Sequence, residues 1–232
     1  MPLYLDIALS LEQEISKYYQ FGEQLPAEQD LAKRYGVNRH TLRRAVDELV
    51  RQGWLLRQQG KRLQVLRKPV RYALHSGARF TDSFRLAGAS PKTEVLSYST
   101  QRADERCALN LGVAKDSNIL LIQTLRYVDE VPVSLISHHI IDGPHRHTLS
   151  QFREGSLHHL LNQQCQIKLK RSRTLVNLAS ANNDESRKLN TVKSAPLLCL
   201  YTLNRDIQGR PFEYSISKNR AELVELCMEH DT

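Results

Sequence analysis

The sequence predicts an α+β protein in two domains, and two observations carry that prediction. Up to about residue 68, apolar residues recur three times at helical spacing and then give way to two short strand-like runs. From residue 75 to 232, runs rich in branched residues outnumber the helical ones and several read as hairpins, the pattern of an antiparallel sheet. A chain of 232 residues, 41% hydrophobic and 25% charged, is long enough for one large domain or two modest ones. The change of pattern, rather than length, therefore divides it: 1–68, a linker at 69–74, and 75–232.

In the first part, Ile7, Leu11, Ile15 and Tyr18 line one side of a helix running from Asp6 to Tyr19. Gly22 and Pro26 break it, and Pro26 favours the opening of a second helix, Ala27 to Tyr35. Gly36 suits a left-handed helix end, and Asn38 is a good cap for a third helix reaching Gln52. Two helices joined by a short Gly-containing turn have helix-turn-helix spacing. Leu55 to Gln58 and Leu63 to Leu66, around Gln59-Gly60-Lys61-Arg62, read as a hairpin, or wing.

In the second part, Thr81 to Ala87 reads as a helix and Glu94 to Arg102 as a strand. Ala103 to Leu111 reads as a helix ending at Gly112, followed by strands at Ile119 to Asp129 and Val131 to Ile141. Ser156 to Cys165 is a helix, Lys170 to Ala179 a strand and Asp184 to Leu189 a short helix. Leu197 to Ile207 and Pro211 to Lys218 form a hairpin around Gln208-Gly209.

The formal charge of +8 and pI of about 9.4 favour polyanionic partners. Cys107, Cys165, Cys199 and Cys227 are scattered without a C-x-x-C pair, which suits a reduced, cytoplasmic chain. The N-terminal residues lack the basic and apolar regions of a signal peptide. No apolar run approaches the ~20 residues that cross a bilayer, so no membrane partner is expected.

Positive charge is concentrated in the third helix and the wing. Between Tyr35 and Lys68 nine arginines and lysines face only Asp47 and Glu48. On the helix, Arg39, His40, Arg43 and Arg44 lie opposite Leu42, Val46, Leu49 and Val50, so one side can pack while the other enters a major groove. Arginine forks onto guanine O6 and N7, while Asn38 and Thr41 suit phosphates or adenine edges at the helix N-terminus.

The segments Leu25-Pro26-Ala27-Glu28-Gln29-Asp30-Leu31-Ala32, Gly36 to Ala45 and Gly53-Trp54-Leu55 resemble the GntR type of winged helix-turn-helix. The resemblance implies DNA contacts from Arg39, His40, Thr41 and Arg43, and places Glu28 in the motif of the second helix. Asn38, Arg44 and the wing residues Gln59, Gly60, Lys61 and Arg62 complete the candidate DNA interface. The wing departs from the family, which has G-x-G at the tip where this chain has Gly60-Lys61-Arg62.

The remainder resembles the effector-binding (UTRA) domain of the HutC branch of that family, a fold shared with chorismate lyase. The segments that carry this likeness are Arg79-Phe80-Thr81, Leu125 to Asp129 with Val131-Pro132-Val133, Gly155-Ser156-Leu157, Pro196-Leu197-Leu198 and Pro211 to Ser215. It implies a small-molecule site built from Arg79, Thr81, Ser83, Arg126, Ser156, Glu213 and Tyr214. Arg79 and Arg126 offer forked donors and Ser156 opens a helix whose N–H groups attract anions, so a small anionic effector is expected, phosphate or phosphonate before carboxylate. Many relatives have a second arginine where this chain has Thr124, and an acid where it has Leu135-Ile136-Ser137. Within the branch the chain is similar to regulators of phosphonate utilisation.

These readings imply a repressor of phosphonate uptake and metabolism genes, controlled by the effector. It would act as a homodimer on a near-palindromic operator with half-sites roughly 34 Å apart. Three alternatives stand beside it. A sugar-phosphate regulator shares the fold. A metal-responsive one would use His138, His139, His145, His147, His158 and His159, although no recognised ligand spacing accompanies them. A lyase-like enzyme has no nucleophile with a base, no paired carboxylates and no phosphate-cradling loop in this sequence. Neither a cofactor nor a metal is expected.

Overall fold

The computed structural model describes residues 2–19, 22–57, 61–66, 70–73, 91–128 and 131–228. The chain divides into two compact units, Met1–Pro69 and Val70–Thr232.

The first unit contains α1 (Leu3–Tyr18), α2 (Glu28–Arg34), α3 (Arg39–Arg51), β1 (Leu55–Leu56) and β2 (Gln64–Val65). Helix α1 starts three residues before the expected Asp6, on an extended Pro2, and buries Ile7, Ala8, Leu11 and Ile15. Tyr18, placed on the packing side by spacing, is 67% exposed because the helix ends there and Tyr19 turns extended. Leu42, Ala45, Val46 and Leu49 of α3 close the same core. Gly36 takes φ 64° between α2 and α3, a conformation that costs a side-chain-bearing residue about 1 kcal/mol or more. Glu14 of α1 accepts from Arg34 at 2.6 Å and from the Tyr35 hydroxyl at 2.7 Å, fixing α2 on α1.

The wing is held by more than its two strands. β1 pairs antiparallel with β2, and the far side of β2 is covered by the α1–α2 connection. Val65 N donates to Glu23 O at 2.7 Å and Leu25 N to Leu63 O at 2.8 Å. The Gly22–Leu25 segment, which reads as a simple break, thus anchors the hairpin to the helices.

The second unit is a six-stranded antiparallel sheet with helices on both faces. Its elements are β3 (Val70–Ala73), β4 (Pro91–Arg102), α4 (Glu105–Leu111), β5 (Asn118–Val128), β6 (Val131–Ile141), α5 (Arg146–Ser150), α6 (Leu157–Cys165), β7 (Lys170–Ser180), α7 (Asn183–Lys188), β8 (Pro196–Arg205), β9 (Pro211–Arg220) and β10 (Val224–Cys227). The sheet order is β4-β5-β6-β9-β8-β7. Gly112 closes α4 at φ 68°. The α7 N-terminus carries a capping box between Asn182 and Glu185.

Register assigns the two faces. Leu120, Ile122 and Ile140 lie under α5 and α6, packed with Leu149, Phe152, Leu157 and Leu161. The opposite face packs Ile119 and Tyr214 on α4 and Leu125, Leu135 and Leu197 beside α7.

Two features differ from the sequence reading. Residues 69–74 are not all linker, because Val70–Ala73 pair in parallel with Val224–Cys227 at the far end of the chain. No local pattern announces a pairing between segments some 150 residues apart. Helix α5, absent from the sequence reading, is too short, at five residues, to show a periodicity. The expected helix from Thr81 to Ala87 lies outside the described residues.

Candidate nucleic-acid interface and ligand site

Helix α3 presents its basic side to solvent. Asn38 caps it, accepting from Thr41 N at 2.8 Å and from the Thr41 hydroxyl at 3.0 Å. The cap therefore orders the first turn and occupies the Asn38 oxygen. Arg39, His40 and Arg43 are exposed, and Thr41 is half-buried. Arg44 is exposed as well, but its guanidinium lies 4.1 Å from the centre of the Tyr4 ring on α1, turned toward that helix. Lys61 and Arg62 of the wing are exposed; Gln59 and Gly60 lie outside the described residues.

Glu28 is placed differently from the arginines. Its carboxylate accepts from Arg57 at 2.9 Å, and Arg57 also pairs with Asp47 of α3. One guanidinium thus ties the start of α2, the middle of α3 and the exit of β1 together. A carboxylate so engaged braces the wing against the helices, and its charge would repel a phosphate. The sequence motif identified the residue but not this partner.

In the second unit a polar seam crosses the face under α6. His138 Nδ1 donates to Glu213 Oε1 at 2.6 Å, and since a carboxylate only accepts, His138 Nε2 is left to accept from the Thr124 hydroxyl at 3.1 Å. The other oxygen of Glu213 accepts from His158 Nε2 of α6 at 2.6 Å and from Asn204 Nδ2 at 2.7 Å. Burial pushes the Glu213 carboxyl up, but the two histidines outweigh it and hold the group well below the usual carboxylate range. Burial pulls His138 down despite Glu213, keeping it neutral at pH 7. The seam continues through Ser134, Ser217 and Asn219, linked at 3.1 and 3.0 Å.

Arg126 stands on this face, beside Ser134 in the β5–β6 register. It is half-buried, and desolvation lowers its guanidinium pKa, opposed by Tyr72 and Glu213 and aided by the like charge of Arg171. Ser156 caps α6 by accepting from His159 N at 3.3 Å, two residues from the His158 that reaches Glu213. The structure therefore brings Arg126, Glu213 and the Ser156 end of α6 to one face. Tyr214 is corrected: it follows Glu213 on a strand, so its side chain points to the opposite face, where it is 3% exposed among Cys107, Leu111 and Ile119. Arg79, Thr81 and Ser83 lie outside the described residues.

Sequence reasoning considered His138 and His158 only as metal ligands and passed over Asn204 as a member of this seam. A signal existed for some of them. Thr124 and Arg126 on β5, Thr202 and Asn204 on β8, and Glu213 to Asn219 on β9 are polar at alternate positions of strands that are otherwise apolar. Among the histidines, His139 bonds Tyr214 O on the other face and His145 bonds Ile141 O. Among the described residues no group of three or more His, Cys, Asp or Glu side chains is arranged to hold a metal ion. No described helix is long and apolar enough to cross a membrane.

Comparison with known proteins decides the family. Residues 3–65 match the gntR family of bacterial regulatory proteins and residues 86–225 match the UTRA domain. The "Probable transcriptional regulator PhnF" of Escherichia coli strain K12 is 42% identical over 228 residues, covering 98% of this chain and 95% of that protein. The chain belongs to the GntR family. With its UTRA domain it has the HutC-type architecture, and it is a DNA-binding transcriptional regulator, not an enzyme. The HTH-type transcriptional repressor NagR of Bacillus subtilis strain 168 is 25% identical, covering 96% of this chain and 92% of that one. The crystal structure of PhnF from Mycobacterium smegmatis shares the fold with a TM-score of 0.67 at 23% identity, covering 97% and 99% of the two chains. A crystal structure of a PhnF C-terminal domain aligns with a TM-score of 0.57 at 36% identity over 62% of this chain and 91% of that one.

Proposed function

We propose that this GntR regulator represses genes of phosphonate uptake and metabolism, and that a small anion carrying a phosphonate or phosphate group controls it. The carrying observation is electrostatic. Arg126 stands on a largely buried face whose carboxylate, Glu213, already has both oxygens engaged by His138, His158 and Asn204. A guanidinium in such surroundings favours an incoming anion, and its fork matches a tetrahedral oxyanion better than an ammonium would. The 42% identity to PhnF over nearly the full chain adds support for the phosphonate assignment.

The reader works in the cytoplasm as a homodimer on a near-palindromic operator, one α3 helix per half-site. Dimerisation is supported by β7, the last strand of the sheet, where Leu175, Val176 and Leu178 are 52%, 41% and 75% exposed. An open edge bearing apolar side chains suits antiparallel pairing with the same strand of a second copy, an isologous contact.

Thermal melting in the presence of methylphosphonate, acetate and glucosamine 6-phosphate tests the ligand class. A rise of melting temperature with methylphosphonate that follows its concentration, and none with acetate, supports the proposal. A response to the sugar phosphate alone would favour the sugar-phosphate reading instead.

A further inference from the structure

Arg171 of β7 pairs in register with Asn204, which pairs with Glu213, so it belongs to the same face as the seam. Its Nη2 donates to the Tyr72 hydroxyl of β3, and its guanidinium carbon lies 5.3 Å from the centre of that ring. Its Nη1 is buried and makes no hydrogen bond among the described residues. A buried cationic donor without an acceptor carries a desolvation cost, and folded proteins rarely leave one so. Glu213, two strands away on the same face, offers no relief, because its oxygens are taken by two histidines and Asn204. The charge of Arg171 is also felt at Arg126. Among the described residues two guanidinium groups share this face with one carboxylate, and Arg171 Nη1 has no acceptor.

Tyr72 gives this a consequence for control. It is the third residue of β3, and β3 begins at Val70, immediately after the boundary at Pro69 between the two units. The described backbone pairing that holds β3 is its four-residue ladder with β10.

We infer that Arg171 is a second effector-binding residue, which together with Arg126 takes a doubly charged phosphonate or phosphate head group, and that its bond to Tyr72 passes occupancy of the site to the strand that leads to the DNA-binding unit. The inference rests on the ligand class proposed above. Nη1 meets the anion while Nη2 keeps hold of Tyr72, so recruiting the guanidinium re-aims the Tyr72 side chain and with it β3. A phosphonate or phosphate group presents three oxygens and a charge that reaches −2 as a dianion, enough to satisfy both arginines, whereas a monocarboxylate satisfies one.

Titration calorimetry of the full chain with methylphosphonate, and DNA affinity measured with and without it, test both halves. Arg171→Gln should bind methylphosphonate about ten- to a hundredfold more weakly than the unsubstituted chain, the loss of one charge-assisted hydrogen bond. Arg171→Lys, which keeps the charge should Gln disturb the fold, should recover part of that loss. Tyr72→Phe should keep methylphosphonate affinity within about threefold while the ratio of the two DNA affinities moves toward one, because coupling is a free energy shared between the sites. Unchanged methylphosphonate binding in both Arg171 variants overturns the binding role, and an unchanged ratio in Tyr72→Phe overturns the transmission. If the unsubstituted chain binds DNA but neither methylphosphonate nor inorganic phosphate, the proposed ligand class falls and this inference with it.

Discussion

His138 Nδ1 and Glu213 Oε1 lie 2.6 Å apart across neighbouring strands, with side chains only 4% and 1% exposed. Glu213 also holds His158 of α6, so a single carboxylate staples the helix to the sheet. Removing the carboxylate leaves the buried donors of His138 and Asn204 without their acceptor, which costs about 1–3 kcal/mol for each unsatisfied group. Glu213→Leu should therefore lower the unfolding free energy of the second unit, read from urea denaturation, by an amount of that size. A change below about 1 kcal/mol would show that the staple is dispensable.

Acid should loosen the same staple. The unfolded chain titrates histidine near 6.5 and glutamate near 4.3, and both His138 and Glu213 lie lower in the folded protein. For a group depressed on folding, the unfolded state binds protons first, so stability rises with pH through the window between the two values. Melting temperature should fall from pH 7 to pH 5 through His138, and again below about pH 4.5 through Glu213. The first fall should shrink in His138→Gln, the remainder coming from His139, which burial also holds below the usual histidine range. A melting temperature that rose on acidification over that range would contradict the assignment.

The arginines of α3 should separate by role. Arg39→Ala and Arg43→Ala, on the open side of the helix, should each weaken operator binding by about 1–3 kcal/mol, and any that contacts phosphate should also reduce the salt slope by about one. Arg44→Ala should weaken it less, because Arg44 stacks on Tyr4. Fluorescence anisotropy with labelled duplex orders the three; a larger effect at Arg44 than at Arg43 would reverse these roles.

The exposed edge of β7 predicts the effect of charge upon assembly. Leu175→Glu together with Leu178→Glu should convert a dimer to a monomer in sedimentation velocity, since like charges meet across a twofold axis. A double variant that sediments as the parent does would place the dimer contact elsewhere.

Much of this architecture was legible from local signals. Asn38, Gly36 and the apolar spacing of α3 placed the recognition helix to within a residue, because capping and periodicity are short-range. The antiparallel sheet followed from strand-like runs separated by turn residues such as Gln208-Gly209. What escaped depends on contacts distant in sequence. Arg57 meets Glu28 twenty-nine residues away, Arg171 meets Tyr72 ninety-nine away, and β3 meets β10 from the opposite end of its unit. The family resemblance named Glu213 and Tyr214 together, yet strand alternation sends them to opposite faces, and only the register shows which one shares a face with Arg126.

The central claim is that α3 reads DNA under control of an anion. The most direct test is to recover duplexes bound by the full chain from a random pool and measure affinity for them over a range of salt, with and without methylphosphonate. The expected result is a near-palindrome with half-sites about one helical turn apart, a steep log-log loss of affinity with salt, and an affinity that methylphosphonate alters. Recovery of no preferred sequence, or binding indifferent to both salt and methylphosphonate, would contradict it.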